Sequence, residues 1–384
     1  MTASIMRKAL ILILIVMAIV LGLIRMSYVQ SGAFPDRTDA PLLPSTEMEL
    51  VAELPMPPGN IAVSDQGQVF FTFHPEAGPD INLAQLTDGK AKAFPTQEWQ
   101  PGGSDPLAFN EILSLRIDTQ QRLWILDNGK HGLKKVRLMA FNIESGALLH
   151  RYEFDRELFA LGSHANDFQV SADGRFIYIS DASFFAQRPA LVIYDVENEV
   201  AIRRLDSHAS VLAGPFEPVV QGRAMTVFGL VTINPGVDGI ALDENNGWLY
   251  FASISADQLY RLPVAALNDF SLSEQMLAEQ VEAFAEKTMT DGMAVDEQGN
   301  IYLSDLEHSA IVRMDTTGDM QTLLKSASIR WPDGFSWGPE GHLYFTCSSL
   351  HQVIGLSPEN VVAQAPYQIY RFKPPLVAEA EIDQ

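Results

Sequence analysis

Three apolar stretches open on Asp-Gly, at Asp238, Asp291 and Asp333, and a fourth opens on Asn166-Asp167. Carboxylates and a carboxamide that recur at the start of similar segments can act together only where the fold brings those starts to one place. Gathered there, Asn166, Asp238 and Asp291 form an oxygen-only donor set, which favours a hard divalent ion such as Ca²⁺ or Mg²⁺ over zinc or copper. Two carboxylates about 6 Å apart repel by roughly 3 kcal/mol at an effective dielectric near 20, so a ring of them calls for a bound cation or raised pKa values. A metal held by Asp238 and Asp291 would activate a water for hydrolysis, with Asp291 and Asp167 as the catalytic pair and Asp167 orienting the substrate. For each single Asp a structural reading has equal weight: Asp-Gly is a turn signal, because Asp bonds nearby backbone N–H groups and Gly allows positive φ. Turn chemistry alone does not account for Asn166-Asp167.

A second polar set follows the same segments. Each opening strand turns back into a second strand, and an antiparallel pair returns the chain to the edge where it began. The second strands end at or near Asp127, Asp181 and Asp305, with His131, His308 and His351 close by. Glu111 precedes the second repeat. All should rim one face, the openings nearest the axis, so that Glu111, Asn166, Asp333, Asp305, His308 and His351 become the expected contacts of a small-molecule ligand. A lone loop histidine is more often simply solvated. Trp124, Trp248 and Tyr302 read as core, and Cys347 as buried packing.

The elements that must position these residues are repeats. A polar or Gly pair, alternating apolar residues, a turn usually containing Gly and an aromatic-rich second strand recur from Gly59, Leu113, Asn166, Asp238, Asp291 and Asp333, at intervals of 54, 53, 72, 53 and 42 residues. Such spacing suits the blades of a β-propeller, about 40 to 50 residues each. The predicted fold is all-β, a six-bladed propeller. The last repeat is too short for four strands unless Tyr367-Gln-Ile-Tyr-Arg-Phe372 is its third and Glu49-Leu-Val-Ala-Glu-Leu54 its fourth. Closure by the N-terminal strand removes two exposed sheet edges. The long third interval predicts an insertion near residues 209–218, and residues 271–287 carry helix formers.

Composition narrows the function. With 26 basic and 48 acidic residues the formal charge is −22, which would repel a phosphate backbone, so nucleic acid is not expected as a partner. Neither a nucleotide nor haem is expected as a cofactor. Cys347 is the single cysteine; an intramolecular disulfide and paired-cysteine zinc sites are excluded.

Arg7 and Lys8 precede an uncharged apolar run over residues 9–24, the order of a secretory signal or signal anchor. Sixteen residues rise about 24 Å as a helix, a little short of a hydrocarbon core of about 30 Å, a gap that snorkelling of Lys8 and Arg25 could close. The expected organisation is a transmembrane anchor or cleaved signal over residues 1–30, with Ser31-Gly32-Ala33 as a candidate cleavage site, then a linker over 31–45, the propeller over 46–375 and a flexible tail over 376–384. The propeller is expected outside the cytoplasm, periplasmic or extracellular, with the membrane as a partner of the first helix.

Asn110-Glu-Ile-Leu-Ser, Arg122-Leu-Trp-Ile-Leu-Asp-Asn-Gly129, Asn166-Asp-Phe, Ala190-Leu-Val-Ile-Tyr-Asp195, Gly236-Val-Asp-Gly-Ile-Ala-Leu, Ser304-Asp305 and Trp331-Pro-Asp-Gly-Phe together resemble the yellow and major royal jelly protein family. The resemblance implies a secreted six-bladed propeller that binds small ligands in its central channel, with some members similar to dopachrome-converting enzymes and others binding biogenic amines. More distantly the chain is similar to the gluconolactonase and regucalcin propellers, which hold a divalent ion on an axial Glu, Asn and Asp. Asp291 lies in a strand like theirs, whereas Asp238 stands where they carry Asn and Asn60 where they carry Glu; Glu111, one repeat later, is an imperfect substitute. Three functions are therefore expected in order: small-molecule binding or isomerisation, metal-dependent lactone hydrolysis, and a protein-interaction scaffold.

Overall fold

Alternating apolar residues in each repeat build the two inner strands of a four-stranded antiparallel sheet, and six such sheets follow one another along the chain. The computed structural model describes residues 2–28, 32–227 and 231–375. The innermost strands are Pro58–Val63, Ile112–Ile117, Ala165–Val170, Val237–Asp243, Met293–Val295 and Pro332–Trp337. Each touches the next, and the sixth touches the first, so the six blades close a ring around one axis. The middle strands are buried on both faces because a blade is covered on each side by its neighbours. Ala190–Asp195, for example, is buried at every position. Apolar clusters fill the spaces between blades, as where Tyr178 and Ile193 of the third meet Ile240 and Phe251 of the fourth.

Closure follows the expected route. The sixth blade takes Pro332–Trp337, Leu343–Cys347 and Tyr367–Phe372 from the end of the chain and its outer strand, Glu49–Leu54, from the beginning. The pairing runs from Glu49 opposite Arg371 to Leu54 opposite Tyr367.

Three features differ from expectation. The insertion between the third and fourth blades continues past residue 218: a single helical turn at Ala209–Val211 is followed by two short ribbons, Val219–Val220 with Arg223–Ala224 and Thr226–Val227 with Val231–Thr232. The helix expected in the fourth blade is confined to Glu274–Ala278, and Glu282–Glu286 is that blade's outer strand. The linker is a strap that packs on the propeller. Phe34 is buried against Phe216 of the insertion, Arg37 donates to the Lys287 carbonyl and pairs with Glu286, and Leu42 and Leu43 donate backbone N–H groups to Thr322 and Leu323.

The N-terminal segment is helical over Thr2–Tyr28. Among the described residues no helix is long and apolar enough to cross a membrane, so the expected transmembrane anchor is without structural support. The shortfall is one of reach, since the uncharged run rises less than a hydrocarbon core is thick. Ser31 of the candidate cleavage site and the expected tail, residues 376–384, lie outside the described residues.

Candidate functional site

The polar residues reach the axis because the inner strands bulge where they begin. Register slips between Pro58 and Ile61, Ile112 and Ser114, Ala165 and Phe168, Val237 and Gly239, and Pro332 and Phe335. A bulge frees its residues from the ladder and re-aims their side chains. Here those residues include Asn60, Asn166, Asp167, Asp238 and Asp333. Hydroxyls on the second strands tie three of these bulges to the next blade. Thr72 accepts from the Asn60 N–H at 3.0 Å and donates to the Leu113 carbonyl at 3.1 Å. Ser180 likewise links Asp167 to the Asp238 carbonyl, and Thr346 links Gly334 to that of Gly59.

The glycines of the Asp-Gly pairs are not turn residues. Gly239, Gly292 and Gly334 lack positive φ, and a Cβ on each would meet the next blade, 2.5 Å from the Asp291 carbonyl oxygen, 1.5 Å from that of Asp333 and 2.7 Å from the Asn60 Cα respectively. They permit close backbone approach around the axis, which corrects the turn reading.

A cavity of about 210 Å³ opens at this end of the axis. Its acidic side is lined by Asp167, Asp238, Asp291 and Asp333. Arg116 forks both oxygens of Asp167 at 2.7 and 2.8 Å and reaches Asn60. Asn166 donates its amide N–H to Asp238. Trp331 donates its indole N–H to Asp291 at 2.7 Å from a backbone with φ of 54°, an outlier for so large a residue and a sign of local strain. Burial is the main cause pushing all four carboxyls above the usual range. Asp291 rises to about 6. Asp238 and Asp333 go well above their ordinary value, since mutual repulsion with Asp291 adds to burial.

Of the opposite, histidine wall only His131 was expected at this face. His74, His131 and His164 line it, with Phe184 and Phe185 toward the mouth. His131 and His164 share a hydrogen bond between their Nδ1 atoms at 2.9 Å, and Phe185 meets the His131 ring edge to face. Burial lowers His74 to about 4 and His164 to about 3, so both rings are neutral at pH 7. Ile233 and Pro235 of the insertion, with Leu350 and Ile354, add an apolar cover. The signal for His74 and His164 was present: one lies just past the end of its blade's second strand, and the other immediately precedes an inner strand.

Four expected ligand contacts lie elsewhere. Asp305 is fully buried, accepting from the Thr288 hydroxyl and from the His308 N–H and ring. His308 faces the strap, its Nε2 3.4 Å from Asp36. His351 is buried behind the wall, stacked on Trp331 and bonded to Gln221 of the insertion. Glu111 does not line the cavity; burial and Glu76 raise it to about 7. The strand-end aspartates are loop anchors instead. Asp127 accepts the N–H groups of Asn110, Glu111 and Gly129 and pairs with Arg137, while Asp181 accepts that of His164 and pairs with Arg203. They hold the loops that bear His131 and His164.

The expected metal set has fitting chemistry but not fitting geometry. Its donors are all oxygen, yet among the described residues no three His, Cys, Asp or Glu side chains converge to hold an ion. Asn166 turns its N–H rather than its oxygen to Asp238, and Asp291 is engaged by Trp331. As arranged, Asn166, Asp238 and Asp291 are not a ligand set.

Residues 112–346 match the family model described as Major royal jelly protein. No curated protein matches the chain in sequence. Among solved structures, a gluconolactonase from Xanthomonas campestris is similar with a TM-score of 0.55 at 12% identity, over 90% of this chain and 99% of that one. Regucalcin from Agrobacterium tumefaciens, a calcium-binding protein, gives 0.52 at 14% identity, over 88% and 98%. A luciferin-regenerating enzyme gives 0.54 at 10% identity, over 85% and 94%. At such identities the likeness shows the fold alone.

Proposed function

The chain belongs to the major royal jelly protein family, and from that premise we propose that it binds a small organic cation in the axial cavity. One observation carries the reading: Asp238, Asp291 and Asp333 share a desolvated wall, and among the described residues none of them is paired with a cationic side chain. The neighbouring guanidinium of Arg116 is already engaged by Asp167. An ammonium group entering there favours the ionised form of carboxyls that burial pushes above their usual range, so any proton they still hold is released on binding. Phe184, Phe185 and Trp331 line the same cavity, where a cation–π contact would be worth about 0.5 to 2 kcal/mol.

Isomerisation is the natural extension, because carboxyl and imidazole groups, two kinds of proton-transfer group, face one cavity in Asp238 and His164. A divalent ion acting in lactone hydrolysis is the alternative occupant, and it requires Asn166 and Asp291 to rearrange. Export is proposed from Arg7, Lys8 and the apolar run that follows.

Calorimetry on the full-length chain at pH 7.5 tests the reading, with 2-phenylethylamine and CaCl₂ in separate arms. Saturable amine binding is expected, with proton release seen as a buffer-dependent heat, and Asp238→Asn should weaken it roughly tenfold or more. Saturable calcium binding with no response to the amine would move the assignment to the metal reading.

A further inference from the structure

The axial space does not end at the acidic wall. A second chamber of about 380 Å³ opens from the far ends of the inner strands, lined among others by Val63, Asp65, Thr119, Leu242, Val295 and Trp337. Arg116, Met293 and Phe335 line both chambers, so the partition there is one side chain thick.

Register explains why Arg116 is the charged member of this partition, with Met293 and Phe335 reaching it from the opposite blades. Ile61, Leu115, Phe168, Ile240, Met293 and Phe335 hold equivalent places in the six inner strands, each paired with the matching residue of its second strand. One residue further along, the ring reads Ala62, Arg116, Gln169, Ala241, Ala294 and Ser336. Arg116 is its only charged member. Gln169 is drawn aside to the Ile240 carbonyl at 2.8 Å, and the others are Ala or Ser. In the preceding ring, blades four to six present Gly239, Gly292 and Gly334, with no side chain at all. In those two rings one guanidinium therefore meets little bulk from the opposite blades, and its donors are fixed by Asp167, Asn60 and the Leu115 carbonyl.

We propose that the propeller axis is a single channel divided at mid-height by Arg116, and that Arg116 selects ligands by length, confining a bound amine to the acidic chamber. The inference rests on the binding function above. Removing the guanidinium joins the chambers and frees Asp167 for a second cationic group, so an extended diamine gains where a short monoamine does not.

The test is calorimetry on the full-length wild type, Arg116→Ala and Met293→Ala with 2-phenylethylamine and 1,10-diaminodecane. Met293→Ala thins the partition without changing charge. The diamine is expected to bind Arg116→Ala roughly tenfold or more tighter than wild type, and Met293→Ala tighter to a smaller degree, while the monoamine changes less than about threefold. Equal changes for both amines would overturn length selection. Should Arg116→Ala fail to fold, Arg116→Gln, which keeps a polar contact to Asp167 but lacks the reach, takes its place with the same expectation. If wild type binds neither amine, the binding function falls, and the partition is decided by a crystal structure of the Arg116 variant: one continuous channel supports it, and a closed axis refutes it.

Discussion

Asp291 shows what burial does to a residue chosen for its charge. Its carboxyl titrates near 6 in the fold and near 3.9 in an unfolded chain. Between these values the folded state binds the extra proton, so stability falls as pH rises from about 4 through about 6 and is constant above. Asp291→Asn keeps an acceptor for the Trp331 N–H and removes the penalty. The variant is expected to be more stable than wild type at pH 7, by about 1 to 3 kcal/mol, with the difference vanishing near pH 4. Thermal melts followed by circular dichroism across that range check it; a variant less stable at pH 7 would mean that the ionised carboxylate has a partner. The acidic residues were legible as a cluster because they open similar segments. Of the histidine wall only His131 was legible, because His131 and His164 belong to different blades and meet only through loops anchored on Asp127 and Asp181.

At the scale of the strand, the Asp-Gly pairs separate two roles that look like one motif. The aspartate lines the cavity, from a bulge at Asp238 and Asp333, and the glycine lets the neighbouring blade come close. Gly292→Ala places a Cβ 1.5 Å from the Asp333 carbonyl oxygen, a clash with backbone that no rotamer relieves. A loss of about 3 kcal/mol or more is expected, read as a lower urea midpoint. Two-fold alternation along the strands was plain in the sequence, since it depends on neighbours two residues apart. Bulges were not, because the slip that creates them is defined by the partner strand. The same limit applies to Asp305 and His308, which sit at the right strand end, yet Asp305 is buried against Thr288 and His308 faces the strap.

For the molecule as a whole, the ring is closed by a strand nearly the full chain length away from its partners. Removing residues 2–44 deletes the first helix and the strap but leaves Glu49–Leu54 paired with Tyr367–Phe372. Removing residues 2–54 opens the last blade and exposes Tyr367–Phe372 as an unprotected edge. Only the longer truncation is expected to elute as soluble aggregates in size-exclusion chromatography with light scattering. Sequence by itself determined the repeat, the number of blades, the route of closure and the family, since each is written in local alternation and in the spacing of similar segments. Tertiary structure alone decided which polar residues share the cavity, that the insertion and strap fold over the propeller, and that Arg116 pairs with Asp167 where two cavities meet. Those outcomes depend on how six separate strands are rotated and offset against one another, a relation held in no single stretch of the chain.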